Sequence, residues 1–308
     1  MSIDLGKALK NKSVNEWSLF WLITGPISAV MVFSMMRADL SSAEGVSSMI
    51  QLSVRCAVPW LFLAFAASSV QVLFPGPLSR WLLRNRPFIG LCFSAAMGWQ
   101  LLFIVWLVTV YNNHYMGEVY VLRDAIEGVG GYLFLIAMTL TSFKFGRKLL
   151  KPKRWKLLHK SGIYFLWAYA FSVYWWNLFY YPNPIWLDYV YYWAGFLAWG
   201  LRAAAWSKKQ RQRAEKESPQ ISSQPAFAWM GIAIVGIGLF AASFGLLWRE
   251  PVEEFLTRSA TSQMLVLYLP YWPFTPFLPL FIIVLGAFLW AKSKAAEPAG
   301  TGRQASAV

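Results

Sequence analysis

Apolar stretches of about 20 residues recur along the whole chain, and this feature restricts its fold more than any other. Each stretch is long enough to cross a hydrocarbon layer roughly 30 Å thick as a helix. Hydrophobic residues form 57% of the sequence and charged residues only 14%, and both values lie outside the range of soluble domains. The sequence therefore predicts an all-α, polytopic membrane protein.

Eight transmembrane helices are predicted, at residues 17–36, 50–74, 88–111, 128–143, 157–177, 186–206, 226–247 and 265–291. They divide into a six-helix core at 17–206 and a two-helix C-terminal hairpin at 225–294. A charged linker at 207–224 joins the two. Residues 1–16 are predicted as a cytoplasmic N-terminal segment, and residues 295–308 as a disordered cytoplasmic tail, because the tail is small and polar.

The distribution of charge predicts the orientation of the helices. Lysine and arginine concentrate in alternate segments, which is typical of the cytoplasmic side. These basic residues are Lys7, Lys10, Lys12, Arg80, Arg84, Arg86, Lys144, Arg147, Lys148, Lys151, Lys153, Arg154, Lys156, Lys160, Arg202, Lys208, Lys209, Arg211, Arg213, Lys216, Lys292, Lys294 and Arg303. Acidic residues such as Glu127 lie in the opposite loops. We expect both termini in the cytoplasm and the bundle in a bacterial inner membrane. The net charge of +14 then faces anionic lipid and requires no nucleic-acid partner.

Two motifs mark the cytoplasmic ends of predicted helices. The third helix opens with RNRPFIGL (84–91) and the fifth with RWKLLHKSGIY (154–164). Together they resemble the ferric-reductase-like transmembrane domain superfamily. This family includes the haem-binding membrane subunit of the bacterial periplasmic methionine sulfoxide reductase system and the membrane cores of NADPH oxidases. The likeness covers residues 50–206. It implies a six-helix bundle that holds b-type haem between histidines on its third and fifth helices.

Three positions correspond to the haem-ligand histidines of that family. They are occupied by Gln100 on the third helix and by His159 and Ser172 on the fifth, so only His159 is retained. The other histidine, His114, follows the outer end of the third helix. The two histidines are therefore expected at opposite faces of the membrane, where they cannot bind one iron. The remaining alternatives are a five-coordinate haem on His159, a thioether ligand from Met97, or a purely structural histidine at the interface.

Arg55 is the only charge predicted well inside a span. Its long side chain either reaches the outer interface, pairs with Glu44 or Asp39, or contacts a substrate. Gln100 offers either a hydrogen bond between helices or a contact to a quinone head group.

The segment LPYWPFTPFLP (269–279) carries a proline at every third position. Such spacing is incompatible with a regular helix and predicts an extended polyproline-II strand. We expect this strand to lead into a helix that starts near Pro279 and to form either a lid on the core or a surface for a partner subunit.

Two functions follow from these observations. In the first, the chain has lost its haem pairs and is a non-catalytic membrane scaffold or accessory subunit. In the second, it is a membrane electron-transfer protein with atypical b-type haem or quinone binding, and it serves an external redox partner as an oxidoreductase membrane subunit. The sequence has no nucleotide-binding motif, so any electrons would come from another protein or from quinone. A transporter is the third option, although only one embedded charge and no clear inverted repeat support it.

Overall fold

The computed structural model describes residues 5–217, 225–259, 261–262, 264–265 and 269–293. Within these residues the protein is helical and contains no β-strand. Six stretches are helical, long and apolar enough to cross a membrane: Glu16–Met35, Ala43–Leu73, Pro77–Val110, Leu122–Ser142, Ala226–Ser243 and Thr275–Lys292. The prediction of an all-helical protein of the membrane class is confirmed.

The helices longer than three turns in this described part of the chain are numbered in order. They are α1 Glu16–Met35, α2 Ala43–Leu73, α3 Pro77–Val110, α4 Leu122–Ser142, α5 Pro152–Phe179, α6 Trp186–Glu217, α7 Pro225–Ser243, α8 Gly245–Thr257 and α9 Leu278–Lys292. Of the predicted spans, those at α5 and α6 do not belong to the strongly apolar group. Residues 174–193 explain this, because they are rich in Trp and Tyr, whose rings carry polar groups.

Several helices extend beyond the apolar stretches that predicted them. α2 begins at Ala43, where the hydroxyl of Ser42 accepts a hydrogen bond from the backbone N–H of Gly45. α6 continues to Glu217, so the first part of the predicted linker is helical. Its residues there are mainly Lys, Arg, Gln, Glu and Ala, which favour helix. Residues 218–224 of that linker lie outside the described residues.

The chain divides into two compact units. The first comprises the residues up to Gly200 together with Leu256–Pro273, and the second comprises Leu201–Phe255 and the residues from Phe274 onwards. This division falls within α6 and not at the predicted linker. In the first unit, α3 packs against α1 and α2, and α5 packs against α2 and α4. In the second unit, α7 packs against α9.

Stacked aromatic rings form much of the core of the first unit. Trp167 of α5 lies between Phe65 of α2 and Phe171 of α5, with ring centroids 5.2 Å apart in both pairs. Phe171 stacks in turn on Tyr192 of α6 at 5.3 Å. The indole N–H of Trp167 donates a hydrogen bond of 3.0 Å to the carbonyl of Gly195. These contacts join α2, α5 and the first part of α6.

A buried asparagine fixes the N-terminal segment on the start of α3. The side-chain amide of Asn85 donates to Asn15 Oδ1 at 2.8 Å, and its oxygen accepts the backbone N–H of Glu16 at 2.9 Å. The indole of Trp81 donates to the carbonyl of Val14 at 2.8 Å. The polar residues before α1 are thereby attached to the bundle.

In the second unit, two glycines bring the backbones of α7 and α9 into contact. A Cβ atom added to Gly286 would lie 2.6 Å from the carbonyl oxygen of Gly231, and one added to Gly231 would lie 2.7 Å from the carbonyl oxygen of Gly286. Small residues at a helix interface allow this close approach in membranes.

Gly286→Ala is therefore expected to force α7 and α9 apart and to destabilise the protein by about 1–3 kcal/mol. Gly236→Ala, also on α7, is the matched control, because a Cβ atom there meets nothing within 4 Å. Thermal unfolding in detergent measures both variants. Equal melting temperatures for the two variants would contradict the backbone contact.

Candidate functional site

His159 lies near the start of α5 and contacts the last residues of α4. Its Nε2 atom is 2.9 Å from the hydroxyl of Thr141, and its ring centroid is 4.3 Å from that of Trp155. The indole of Trp155 donates to the carbonyl of Thr141 at 3.0 Å. The guanidinium of Arg147 lies 4.8 Å from the centre of the Trp155 ring. We call Thr141, Arg147, Trp155 and His159 the His159 cluster; it ties the end of α4 to the start of α5.

The local sequence explains the geometry of the His159 cluster. Pro152 occupies the first position of α5, where its missing N–H costs no hydrogen bond. Trp155 and His159 are four residues apart and therefore share one face of that helix.

The surroundings of His159 do not fit a haem ligand. A histidine binds iron through a ring nitrogen that has a free lone pair. In His159 the Nε2 atom is engaged by the Thr141 hydroxyl, and Trp155 covers the ring. Iron binding through that atom would require this hydrogen bond to break.

Gln100 joins α3 to α4. Its Oε1 atom accepts a hydrogen bond of 2.7 Å from the hydroxyl of Tyr132, which also lies 3.3 Å from the carbonyl oxygen of Met97. Nearer the other end of the same interface, the hydroxyl of Thr139 donates to that of Ser94 at 2.9 Å. Gln100 is thus one of several polar contacts between these two helices.

Ser172 is buried in α5 and donates a hydrogen bond of 2.9 Å to the carbonyl of Tyr169 in its own helix. Phe171, Tyr174 and Trp175, next to it along the chain, are also buried. Large packed side chains therefore fill the helix at this level. The three haem-ligand positions of the resembling family are each engaged in contacts of this chain's own side chains.

Arg55 lies more than three turns into α2, and its backbone carbonyl accepts a hydrogen bond of 2.9 Å from the hydroxyl of Tyr191. The predicted ion pair with Glu44 or Asp39 is wrong, since Arg55 forms neither pair among the residues that the structure describes. The carboxylate of Asp39 instead accepts hydrogen bonds from the hydroxyl and amide of Ser41, which hold the pKa of Asp39 below its usual range. Reach to the outer interface or contact with a substrate stays a prediction.

Glu127 is a buried carboxylate that the sequence analysis placed in an outer loop. That placement is wrong, because α4 begins at Leu122 and Glu127 is only 9% exposed. Its Oε1 atom accepts a hydrogen bond of 2.8 Å from the backbone N–H of Tyr271. Gly131 and Leu135 are also buried on α4. Their spacing of four and eight residues from Glu127 was the signal that could have placed Glu127 on the core face.

Residues 269–273 therefore pack against the first unit. Besides its contact with Glu127, Tyr271 donates from its hydroxyl to the carbonyl of Phe165 on α5 at 3.2 Å, and the two rings lie 5.6 Å apart. This position agrees with the predicted lid.

The predicted polyproline-II strand is wrong. Tyr271 and Phe274 have φ angles of 64° and 62°, whereas polyproline II requires a φ angle near −75°. Turns replace the extended strand, since Pro also favours tight turns. The helix that follows begins at Leu278, close to the predicted Pro279.

Among the described residues, no group of three or more His, Cys, Asp or Glu side chains is placed to hold a metal ion. No protein-family model, curated protein or solved structure matches the chain. The resemblance to the ferric-reductase-like superfamily stays a prediction.

Glu127→Ala removes the acceptor of the Tyr271 amide and is expected to cost about 1–3 kcal/mol of stability. Glu127→Gln keeps an oxygen at that place and should retain most of the stability. Hydrogen exchange of the peptide that contains residues 269–273 should accelerate in the alanine variant alone. Glu118→Ala is the control, because the Glu118 side chain is 73% exposed. Unchanged exchange in Glu127→Ala would contradict a role of Glu127 in holding this segment.

Proposed function

We propose that this chain is an integral membrane scaffold or accessory subunit of ferric-reductase-like architecture that does not hold haem. The contact between His159 Nε2 and the Thr141 hydroxyl carries this proposal. It assigns the one histidine retained at a family ligand position to the joint between α4 and α5. Gln100 and Ser172 support the same assignment, because both are engaged in hydrogen bonds of the bundle.

The proposal includes eight membrane crossings, with α5 and α6 added to the six strongly apolar helices. α5 follows a connection rich in Lys and Arg, which is typical of the cytoplasmic side, and ends in residues rich in Trp and Tyr, which are typical of the membrane interface. Both termini then lie in the cytoplasm of a bacterial cell, and the bundle lies in its inner membrane.

A non-catalytic subunit requires a rigid surface for a partner and no reactive group. The contacts between α3, α4 and α5 meet the first requirement, since each hydrogen bond between helices fixes their mutual position. The partner in this proposal is another membrane or redox subunit. A shared fold by itself does not carry the chemistry of its relatives.

One observation favours electron transfer as a second candidate. The Tyr132 hydroxyl and the Gln100 carbonyl oxygen form a donor and acceptor pair inside the apolar bundle. A quinone head group could exchange with this pair, because its oxygens need the same kind of partners. In that case the chain would pass electrons between quinone and an external redox protein.

Expression with ample haem precursor, followed by purification in mild detergent, tests the proposal. The dithionite-reduced minus oxidised spectrum is expected to show no stoichiometric b-type α-band in the wild type. The b-type cytochromes of the host, measured in the same membranes, control for haem supply. A stoichiometric band that disappears in His159→Ala would overturn the haem-free assignment.

Analysis of the lipids that co-purify tests the second candidate. The scaffold proposal predicts no stoichiometric quinone. Quinone at one equivalent per chain, lost in Tyr132→Phe and kept in Tyr120→Phe, would favour electron transfer instead. Tyr120 is the control because it is exposed and lies before α4.

A further inference from the structure

Three segments rich in basic residues lie together at one end of the first unit. The guanidinium of Arg84, near the start of α3, donates to the carbonyl of Leu9 at 2.8 Å and to Asn15 Oδ1 at 2.6 Å. The ring of Trp17 at the start of α1 lies 6.2 Å from that of Phe143, which follows the end of α4. The N-terminal segment, the start of α3 and the α4–α5 connection are therefore neighbours.

We call the exposed basic side chains of these segments the cationic face. They are Lys10, Lys12, Arg80, Lys144, Lys148, Lys151, Lys153, Arg154, Lys156 and Lys160. In the described residues of the same segments the one acidic side chain is Glu16. No member of the cationic face forms an ion pair with a carboxylate that the structure describes. The positive charge is thus available to an external anion.

Large apolar side chains protrude among these cations. Phe145 is 63% exposed and Leu149 is 81% exposed, and both lie in the α4–α5 connection between lysines. Leu157, at the start of α5, is 64% exposed. Interleaved basic and apolar side chains are typical of segments at the boundary between lipid head groups and acyl chains. A nucleic acid or an acidic protein loop offers no apolar layer for Phe145 and Leu149.

We propose that the α4–α5 connection binds an anionic glycerophospholipid of the cytoplasmic leaflet. Lys148 and Lys151 attract its phosphate group, and Phe145 and Leu149 insert beside its acyl chains. The charges are complementary, because this leaflet is anionic and attracts basic segments at the membrane surface. The inference is independent of the scaffold proposal, since it requires neither the presence nor the absence of haem.

The bound lipid also stabilises the His159 cluster. Arg147 belongs to the same connection and lies over the ring of Trp155. A lipid that holds this connection at the membrane surface keeps Arg147 in place. Anionic lipid should therefore raise the melting temperature of the protein more than zwitterionic lipid does.

Native mass spectrometry of the full chain in detergent, with added phosphatidylglycerol or phosphatidylcholine, tests this site. Phosphatidylglycerol is expected to be retained preferentially. Lys148→Gln/Lys151→Gln should weaken its binding about 30-fold, the effect of two charges at the membrane surface. Lys148→Arg/Lys151→Arg should bind like the wild type. The matched control is Lys209→Gln/Arg213→Gln, which removes two exposed charges from the end of α6.

A second variant, Phe145→Ser/Leu149→Ser, keeps every charge and is also expected to lose phosphatidylglycerol. Size-exclusion profiles and melting temperatures in detergent alone establish that each variant is folded. Equal affinity of the wild type for the two lipids would overturn the proposal, as would equal losses in the two charge-removal variants. Displacement of the lipid by inorganic phosphate, at constant ionic strength, would assign the site to free phosphate and would also overturn it.

Discussion

Polar groups inside a membrane need partners within the protein, and this requirement organises the first unit. Helix α4 meets it with polar side chains along its length: Glu127 near its start, Tyr132 and Thr139 in its middle, and Thr141 near its end. Their partners lie on α3, on α5 and in residues 269–273. Each such bond contributes about 0.6 kcal/mol on average in membrane bundles. The series therefore specifies the positions of the helices more than it supplies their total stability.

The same contacts explain why a haem-binding ancestry need not leave a haem site. A cofactor between helices requires ligand atoms with free lone pairs and an unfilled space. Here the ring nitrogen of His159 is engaged by Thr141, and Gln100 accepts from Tyr132. Trp167 and Phe171 stack in the core of α5, and Ser172 is buried next to them. Side-chain packing and hydrogen bonds thus occupy the places at which the resembling family binds its cofactor.

Most of the helices could be predicted from the sequence, because long apolar runs are a local signal. Helix ends were predicted less well, since α2 and α4 begin with polar turns that extend beyond the apolar stretch. Glu127 was missed for this reason. Its partner Tyr271 lies more than a hundred residues away, and no local pattern can pair two such positions. Likewise, the sequence marked His159 as an interfacial residue, but its bond to Thr141 depends on how the α4–α5 connection folds.

A double-mutant cycle on Thr141→Val and His159→Ala tests the central claim most directly. Unfolding of the wild type, both single variants and the double variant is measured in mixed micelles by titration with a denaturing detergent. If His159 joins α4 to α5, the two substitutions should be coupled by about 0.5–1.7 kcal/mol, the range of hydrogen bonds between membrane helices. Strictly additive effects, together with a b-type haem spectrum that depends on His159, would contradict the account.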